Sequence, residues 1–167
     1  MSEAIPTLYD ETNSGKWHSE AQINGVGNQA NLTGQLEHHV PSTDGSFPIC
    51  VVSGNVTLVS RKLYESIPEQ HRPPLDTNAT DTSVAFVLSG PQNALGSTIM
   101  PVVLINAETG KPFCVKLHAL VMEDLLMGMF IGIHDSIFTQ QAWDAERITY
   151  RLALGNEEVE VEHRVRQ

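Results

Sequence analysis

The amino-acid sequence predicts an all-β domain, closed or sandwiched, with one or two short helices. Two observations favour this class: short apolar segments recur along the chain, and turn sequences separate them at intervals of roughly ten residues. Helical spacing of apolar residues is clear over residues 58–67, and Pro68 ends that segment. Most of the chain is therefore expected to form strands.

The first 35 residues differ in composition from the rest. Glycine, asparagine, serine and glutamine are dense from residue 13 to residue 35, and few side chains there offer apolar surface for burial. We therefore expect a flexible polar N-terminal arm at residues 1–35, ordered by packing on the body of the domain or on another subunit. The β domain is expected over residues 36–167.

Several segments of this domain have the length and apolar content of strands, namely residues 36–40, 47–52, 84–88, 99–105, 113–121, 148–154 and 159–165. Asp44-Gly45 predicts a hairpin between the first two, and Gly155-Asn156 predicts one between the last two. Residues 113–121 are the clearest strand, because apolar side chains at alternate positions fall on one face.

The charge and the apolar pattern exclude several functions. The net charge is −10, from 20 acidic and 10 basic residues, so a phosphate backbone would be repelled and nucleic-acid binding is not expected. The longest apolar run, residues 125–133, is broken by two glycines and is much shorter than the about 20 residues that a membrane helix needs. The N-terminus lacks the pattern of a signal peptide. We expect no membrane partner and a cytoplasmic or virion-associated location.

The candidate metal ligands and nucleophiles do not form a motif. His38 and His39 are adjacent, so on a strand they point to opposite faces and cannot bind one metal ion together. Cys50 and Cys114 lie in apolar segments and are expected to be small buried side chains. Ser53 lacks the Gly-x-Ser-x-Gly spacing of a nucleophile turn. No metal and no cofactor are expected.

One segment resembles a known active site. Residues 49–64, Ile-Cys-Val-Val-Ser-Gly-Asn-Val-Thr-Leu-Val-Ser-Arg-Lys-Leu-Tyr, resemble the catalytic segment of the retropepsin-like aspartic proteases of retroviruses and LTR retrotransposons. In that family an apolar strand leads into Asp-Thr/Ser-Gly and a short helical turn follows. Residues 125–131, with Gly128, are similar to the second hallmark of the family, an apolar pair followed by glycine. The resemblance covers about residues 36–154 and implies a closed acid-protease-like barrel and a homodimer or higher oligomer.

The resemblance also implies that the catalytic carboxylate is missing. In the family two chains each contribute an aspartate, and the pair shares a proton and activates water. Here the aspartate position falls on Val52, followed by Ser53 and Gly54. An alternative placement puts the motif at Asp76, but Asp76 follows a loop rather than an apolar strand, and Asn78 replaces the glycine. The fold of an aspartic endopeptidase is expected, and whether it is an enzyme stays open.

A peptide-binding site follows from the same resemblance. The family binds peptide as an added strand between the catalytic turn and a glycine-tipped hairpin called the flap. This implies contacts from Gly54, Asn55 and Gly128, with Ser89 and Gly90 at the flap tip. Leu95-Gly96-Ser97 is an alternative tip.

Two functions are therefore predicted. The first is a retroelement-derived, catalytically inactive protease-like domain that dimerises or binds an extended peptide. The alternative is a non-enzymatic structural or assembly protein of a virus or phage, whose N-terminal arm contacts neighbouring subunits.

Overall fold

The computed structural model describes residues 4–12, 21–23, 30–40, 42, 44–79, 83–86, 90–125, 128–133, 135, 137–143, 148–154 and 157–163. The strands in this part of the chain are β1 (Thr7–Asp10), β2 (Ala21–Ile23), β3 (Ala30–Gln35), β4 (Ser46–Val52), β5 (Thr57–Ser60), β6 (Ser83–Phe86), β7 (Gly90–Asn93), β8 (Gly96–Ile105), β9 (Pro112–Met122), β10 (Met129–Gly132), β11 (Phe138–Trp143), β12 (Ile148–Leu154) and β13 (Glu157–His163). The helices there are α1 (Arg61–Ser66) and two 3-10 turns, Glu69–His71 and Thr77–Ala79.

Six strands close into a barrel. Their order is β9-β5-β10-β4-β3-β8, and β8 pairs with β9 to complete the ring. The β8–β9 pairing is antiparallel and runs from Gly96↔Val121 to Ile105↔Pro112. β1 adds to β9 in parallel outside the ring. The predicted all-β fold with a closed barrel and a short helix is confirmed.

The barrel is filled by alternate side chains of its strands. Met100, Val102 and Leu104 of β8 are buried in one apolar cluster with the alternating face that was predicted for residues 113–121. On the other face of β9, Leu120 and Met122 belong to a second, smaller cluster. That second cluster also contains Val52, at the end of β4, and it forms the floor of the site described below.

Part of the segment predicted as a polar arm is a barrel strand. β3 is a barrel strand that lies between β4 and β8, so the barrel begins at Ala30 rather than at residue 36. The polar composition hid this strand, because Leu32 and Leu36 alternate with the exposed Thr33 and Gln35. Residues 13–20 and 24–29 of the predicted arm lie outside the described residues.

The predicted helical segment at residues 58–67 is divided between two elements. Its first residues form β5, which is buried and pairs with both β9 and β10. Ser60 then caps α1, because its side-chain oxygen accepts a hydrogen bond from the Leu63 N–H (3.0 Å). Strand pairing in the barrel therefore determines the conformation of residues 58–60, although the spacing of the apolar residues there is helical.

Two small sheets flank the barrel. One has the order β11-β12-β13, and its β12–β13 hairpin confirms the predicted pairing across residues 155 and 156. The other has the order β2-β6-β7 and covers the end of β4. Among the described helices, none combines the length and the apolar character that crossing a bilayer would require.

Candidate functional site

The candidate site is the turn of residues 53–56, which follows β4. β10 lies between β4 and β5, parallel to β4 (Met129↔Ile49 to Gly132↔Val52) and antiparallel to β5. β4 and β5 are consecutive in the sequence, yet the inserted strand separates them in this fully described part of the sheet. The turn must therefore cross over the end of β10, and we call residues 53–56 the crossover turn.

Gly132 makes this crossing possible. A Cβ atom on Gly132 would lie 2.6 Å from the carbonyl oxygen of Val56 and 2.7 Å from that of Gly54. The Gly132 N–H donates to the Val56 carbonyl oxygen (3.1 Å), and the Ile133 N–H donates to the Val52 carbonyl oxygen (2.8 Å). The last residues of β10 are thus bound to the backbone on both sides of the crossover turn.

Val52 occupies the last position of β4 and is only 4% exposed. It packs in the smaller apolar cluster together with Cys50, Val56, Leu58 and Leu120. No residue from 52 to 56 carries a carboxylate. The turn therefore offers backbone hydrogen-bonding groups, the Ser53 hydroxyl and the Asn55 amide, but no acid.

Sequence reasoning missed Asp135, which follows the crossing. Its Oδ2 accepts a hydrogen bond from Thr57 Oγ1 (3.0 Å), and its N–H donates to the Gly132 carbonyl oxygen (3.0 Å). The carboxylate therefore helps to hold β5 against the segment after β10. The available signal was its position, three residues after the glycine of an apolar-apolar-glycine run at 130–132.

The β6–β7 hairpin is connected to the crossover turn through β2. Its strands pair from Ser83↔Asn93 to Phe86↔Gly90. Gly90 has a φ of 80°, a value that favours glycine, and no described atom lies within 4 Å of where its Cβ would be. This hairpin contains the predicted tip, although Ser89 itself lies outside the described residues.

β2 fills the space between the hairpin and the turn. It pairs in parallel with β6 (Ala21↔Val84 to Ile23↔Phe86) and makes an antiparallel bridge from Ile23 to Gly54. The Asn55 N–H donates to the Gln22 carbonyl oxygen (3.1 Å), and the Gln22 N–H donates to Asn55 Oδ1 (2.8 Å). Gly54 and Asn55, two of the residues predicted to contact peptide, therefore contact β2 of the same chain.

Gly128 lies away from the crossover turn. It precedes β10, near Phe47 and Leu63, and its carbonyl oxygen accepts a hydrogen bond from the Ser60 N–H (2.9 Å). The glycine that meets the crossover turn is Gly132, at the opposite end of β10. The pattern of an apolar pair followed by glycine occurs twice within residues 125–132, and the second occurrence, at Gly132, lies at the crossover turn.

The alternative placement at Asp76 is an exposed turn. Asp76 makes an isolated bridge to Ser97, and its Oδ1 accepts a hydrogen bond from the Asn78 N–H (3.0 Å). Gly96, the alternative flap tip, starts β8 and packs against this same loop, with its Cβ position 2.7 Å from the Asp76 carbonyl oxygen. Neither residue belongs to the cleft at the crossover turn.

The other candidate side chains are used in packing. The His38 ring stacks on the His71 ring, with 3.7 Å between their centroids. Cys50 and Cys114 are buried free thiols, as predicted, and burial raises the pKa of Cys50 to about 11. Over the described ranges, no group of three or more His, Cys, Asp or Glu side chains could hold a metal ion.

The fold and the site define a closed six-stranded β-barrel protein whose crossover turn is covered by a short three-stranded sheet. In comparisons with known proteins, no protein-family model, no curated protein and no solved structure matches the chain.

Proposed function

We propose that this chain is a retropepsin-like domain without protease chemistry, which dimerises and binds extended peptide between the crossover turn and the β6–β7 hairpin. The observation that supports the proposal is the insertion of β10 between β4 and β5, which makes the turn after Val52 cross over Gly132. We expect the domain in the cytoplasm or in a virion, within a larger polyprotein or as a product derived from one.

Catalysis by the family's mechanism needs a carboxylate pair to share a proton and activate water. The side chain of Val52 can do neither, and Ser53 belongs to no nucleophile motif. Peptide binding does not need a carboxylate pair. An added strand is held by backbone hydrogen bonds, and pockets for alternate side chains provide selectivity. Both parts are present in the cleft, as the contacts of β2 with Asn55 and with the smaller apolar cluster illustrate.

A peptidase assay tests the chemical part of the proposal. We expect the wild-type chain to give no pepstatin-sensitive cleavage of casein between about pH 3 and pH 7, because no aspartate pair can form at residue 52. Pepstatin-sensitive turnover by the wild-type chain would overturn the inactive assignment.

A selection for binding tests the other part. A phage-displayed library of random peptides should enrich sequences on the wild-type chain, and Asn55→Ala should weaken their binding, since it removes the Oδ1 acceptor in the cleft. Asn93→Ala is the matched control, because Asn93 is exposed and lies at the end of the hairpin away from Gly90. Equal binding by both variants would place the peptide elsewhere.

The self-association is tested by light scattering after size-exclusion chromatography. A dimer supports the protease-like proposal. A large assembly of defined size would support the alternative of a viral or phage structural protein.

A further inference from the structure

β2 is a short strand that the barrel does not require. It has three residues, and it pairs only with β6 and with the crossover turn among the described elements. The six barrel strands close without it, since β8 pairs directly with β9. Release of β2 would therefore leave the hydrogen-bonded ring of the barrel complete.

The cleft recognises the middle residue of β2 through its backbone. Both the N–H and the carbonyl group of Gln22 are bound by one residue, Asn55, at 2.8 and 3.1 Å. The Gln22 side chain is exposed. Any residue with a backbone N–H could therefore take this position.

The flanking residues of β2 provide the apolar contacts. Ala21 is 3% exposed and Ile23 is 2% exposed, and both belong to the smaller apolar cluster that contains Val52. Alternate side chains of a strand point the same way, so these two fill adjacent pockets on the floor of the cleft.

Gly54 supplies the space for this strand. A Cβ atom there would lie 2.8 Å from the Gln22 carbonyl oxygen and 2.9 Å from Ile23 Cδ1. The turn is thus shaped for the close approach of an extended backbone with an apolar side chain beside it.

We propose that β2 is an intramolecular ligand. It occupies in cis the groove that receives an extended peptide in trans, and a peptide with a small apolar residue followed two positions later by a β-branched apolar residue displaces it. This inference rests on the proposed peptide-binding function and adds its regulation and its sequence preference. The attached strand competes at an effective concentration on the order of millimolar, so the unmodified chain binds such peptides weakly.

A pair of variants tests the inference. Ile23→Asp places a charge in the apolar pocket and should expel β2, whereas Gln22→Asp places the same charge on the exposed face. The probe is a fluorescein-labelled peptide with the sequence of residues 19–25, Ser-Glu-Ala-Gln-Ile-Asn-Gly, measured by fluorescence anisotropy. We expect the Ile23→Asp chain to bind it at least about tenfold more tightly than wild type or Gln22→Asp.

The outcomes separate this inference from the proposed function. If the folded Ile23→Asp chain binds library-selected peptides but binds the residue 19–25 peptide no better than wild type does, β2 is not a ligand and the inference fails alone. If it binds neither, the peptide-binding function fails too. The two copies of a dimer could instead exchange residues 21–23. If such a dimer forms and the peptide dissociates it, β2 binds the partner copy and the assignment in cis is overturned.

Hydrogen exchange on the wild-type chain gives an answer even where Ile23→Asp does not fold. The Asn55 amide donates to β2, whereas the Ile133 amide donates to Val52 inside the crossing. A detachable ligand predicts that the Asn55 amide exchanges by local opening, at least about 100-fold faster than the Ile133 amide. Equal protection of the two amides would make β2 an integral strand and overturn the inference.

Discussion

Introducing an acidic side chain at residue 52 is the most direct test of how the crossover turn is built. Val52 is 4% exposed and lies among apolar side chains, and none of residues 52–56 carries a cation. Val52→Asn loses about 2 kcal/mol of apolar burial and adds a buried amide that costs a further 1–3 kcal/mol or so. We expect it to lower the free energy of unfolding by about 4 kcal/mol.

Val52→Asp has nearly the same shape as Val52→Asn but can carry a charge. Burial disfavours the carboxylate, so the pKa of the new carboxyl in the folded chain should lie above its ordinary value near 3.9. The folded state then holds the proton more tightly than the unfolded state, and stability falls as pH rises above about 4. If the upward shift is two units or more, Val52→Asp is less stable than Val52→Asn by about 3 kcal/mol at pH 7, and the two converge near pH 3.

Urea denaturation of both variants across that pH range measures the difference directly, because the two chains share the lost apolar contacts. A gap that grows from pH 4 to pH 7 supports a closed apolar environment around residue 52. Equal stability of the two variants at pH 7 would refute it, because the carboxylate would then be hydrated or paired with a cation.

Three further perturbations follow from described contacts. Gly132→Ala should lower the free energy of unfolding by about 2–4 kcal/mol in a urea titration, because its Cβ would meet two backbone carbonyl oxygens at 2.6 and 2.7 Å. Gly128→Ala is the control and should cost less than about 1 kcal/mol, because its nearest contact is a flexible leucine carbon at 3.2 Å. Glu11→Gln should lower the free energy of unfolding, measured by thermal unfolding, by about 1–2 kcal/mol. The buried carboxylate accepts hydrogen bonds from the backbone N–H of His118 (3.0 Å) and from the Tyr9 hydroxyl (3.1 Å). An equal loss of stability in the exposed control Glu108→Gln would contradict this. Ellman's reagent at pH 8 should label Cys50 and Cys114 only as fast as the chain unfolds, because both thiols are buried and burial raises the pKa of Cys50 to about 11; rapid labelling of the native chain would show an accessible thiolate.

The sequence predicted the elements whose pattern is local. Alternation over residues 113–121 gave the core face of β9, and Asp44-Gly45 gave a turn directly before β4. The strand predicted at residues 36–40 is wrong, because β4 pairs instead with β3, which ends at Gln35. It did not predict β2 or β10 correctly, because both are short and acquire their place from distant partners. β2 pairs with residues more than thirty positions away, and β10 depends on β4 and β5 together.

The candidate site was predicted only in part, again because some of its residues come together from distant segments of the chain. Val52, Gly54 and Asn55 were located because they are contiguous with an apolar strand. The sequence did not single out Gly132, since Gly128 and Gly132 both follow apolar pairs and only the close approach of two carbonyl oxygens distinguishes them. The place of residues 21–23 beside the crossover turn was not predicted, because an alternation of only three residues is too short to indicate a strand.

The crossover turn combines an apolar side chain at residue 52 with a backbone crossing that glycines allow, and the physical constraints on the two are different. A valine at residue 52 carries no carboxyl group, but it suits the end of a strand because β-branched side chains favour an extended backbone, and it belongs to the smaller apolar cluster. The backbone still needs a glycine at 132 for the crossing and a glycine at 54 for the strand beside it. A turn shaped in this way accepts the close approach of an extended backbone, as its contacts with β2 show.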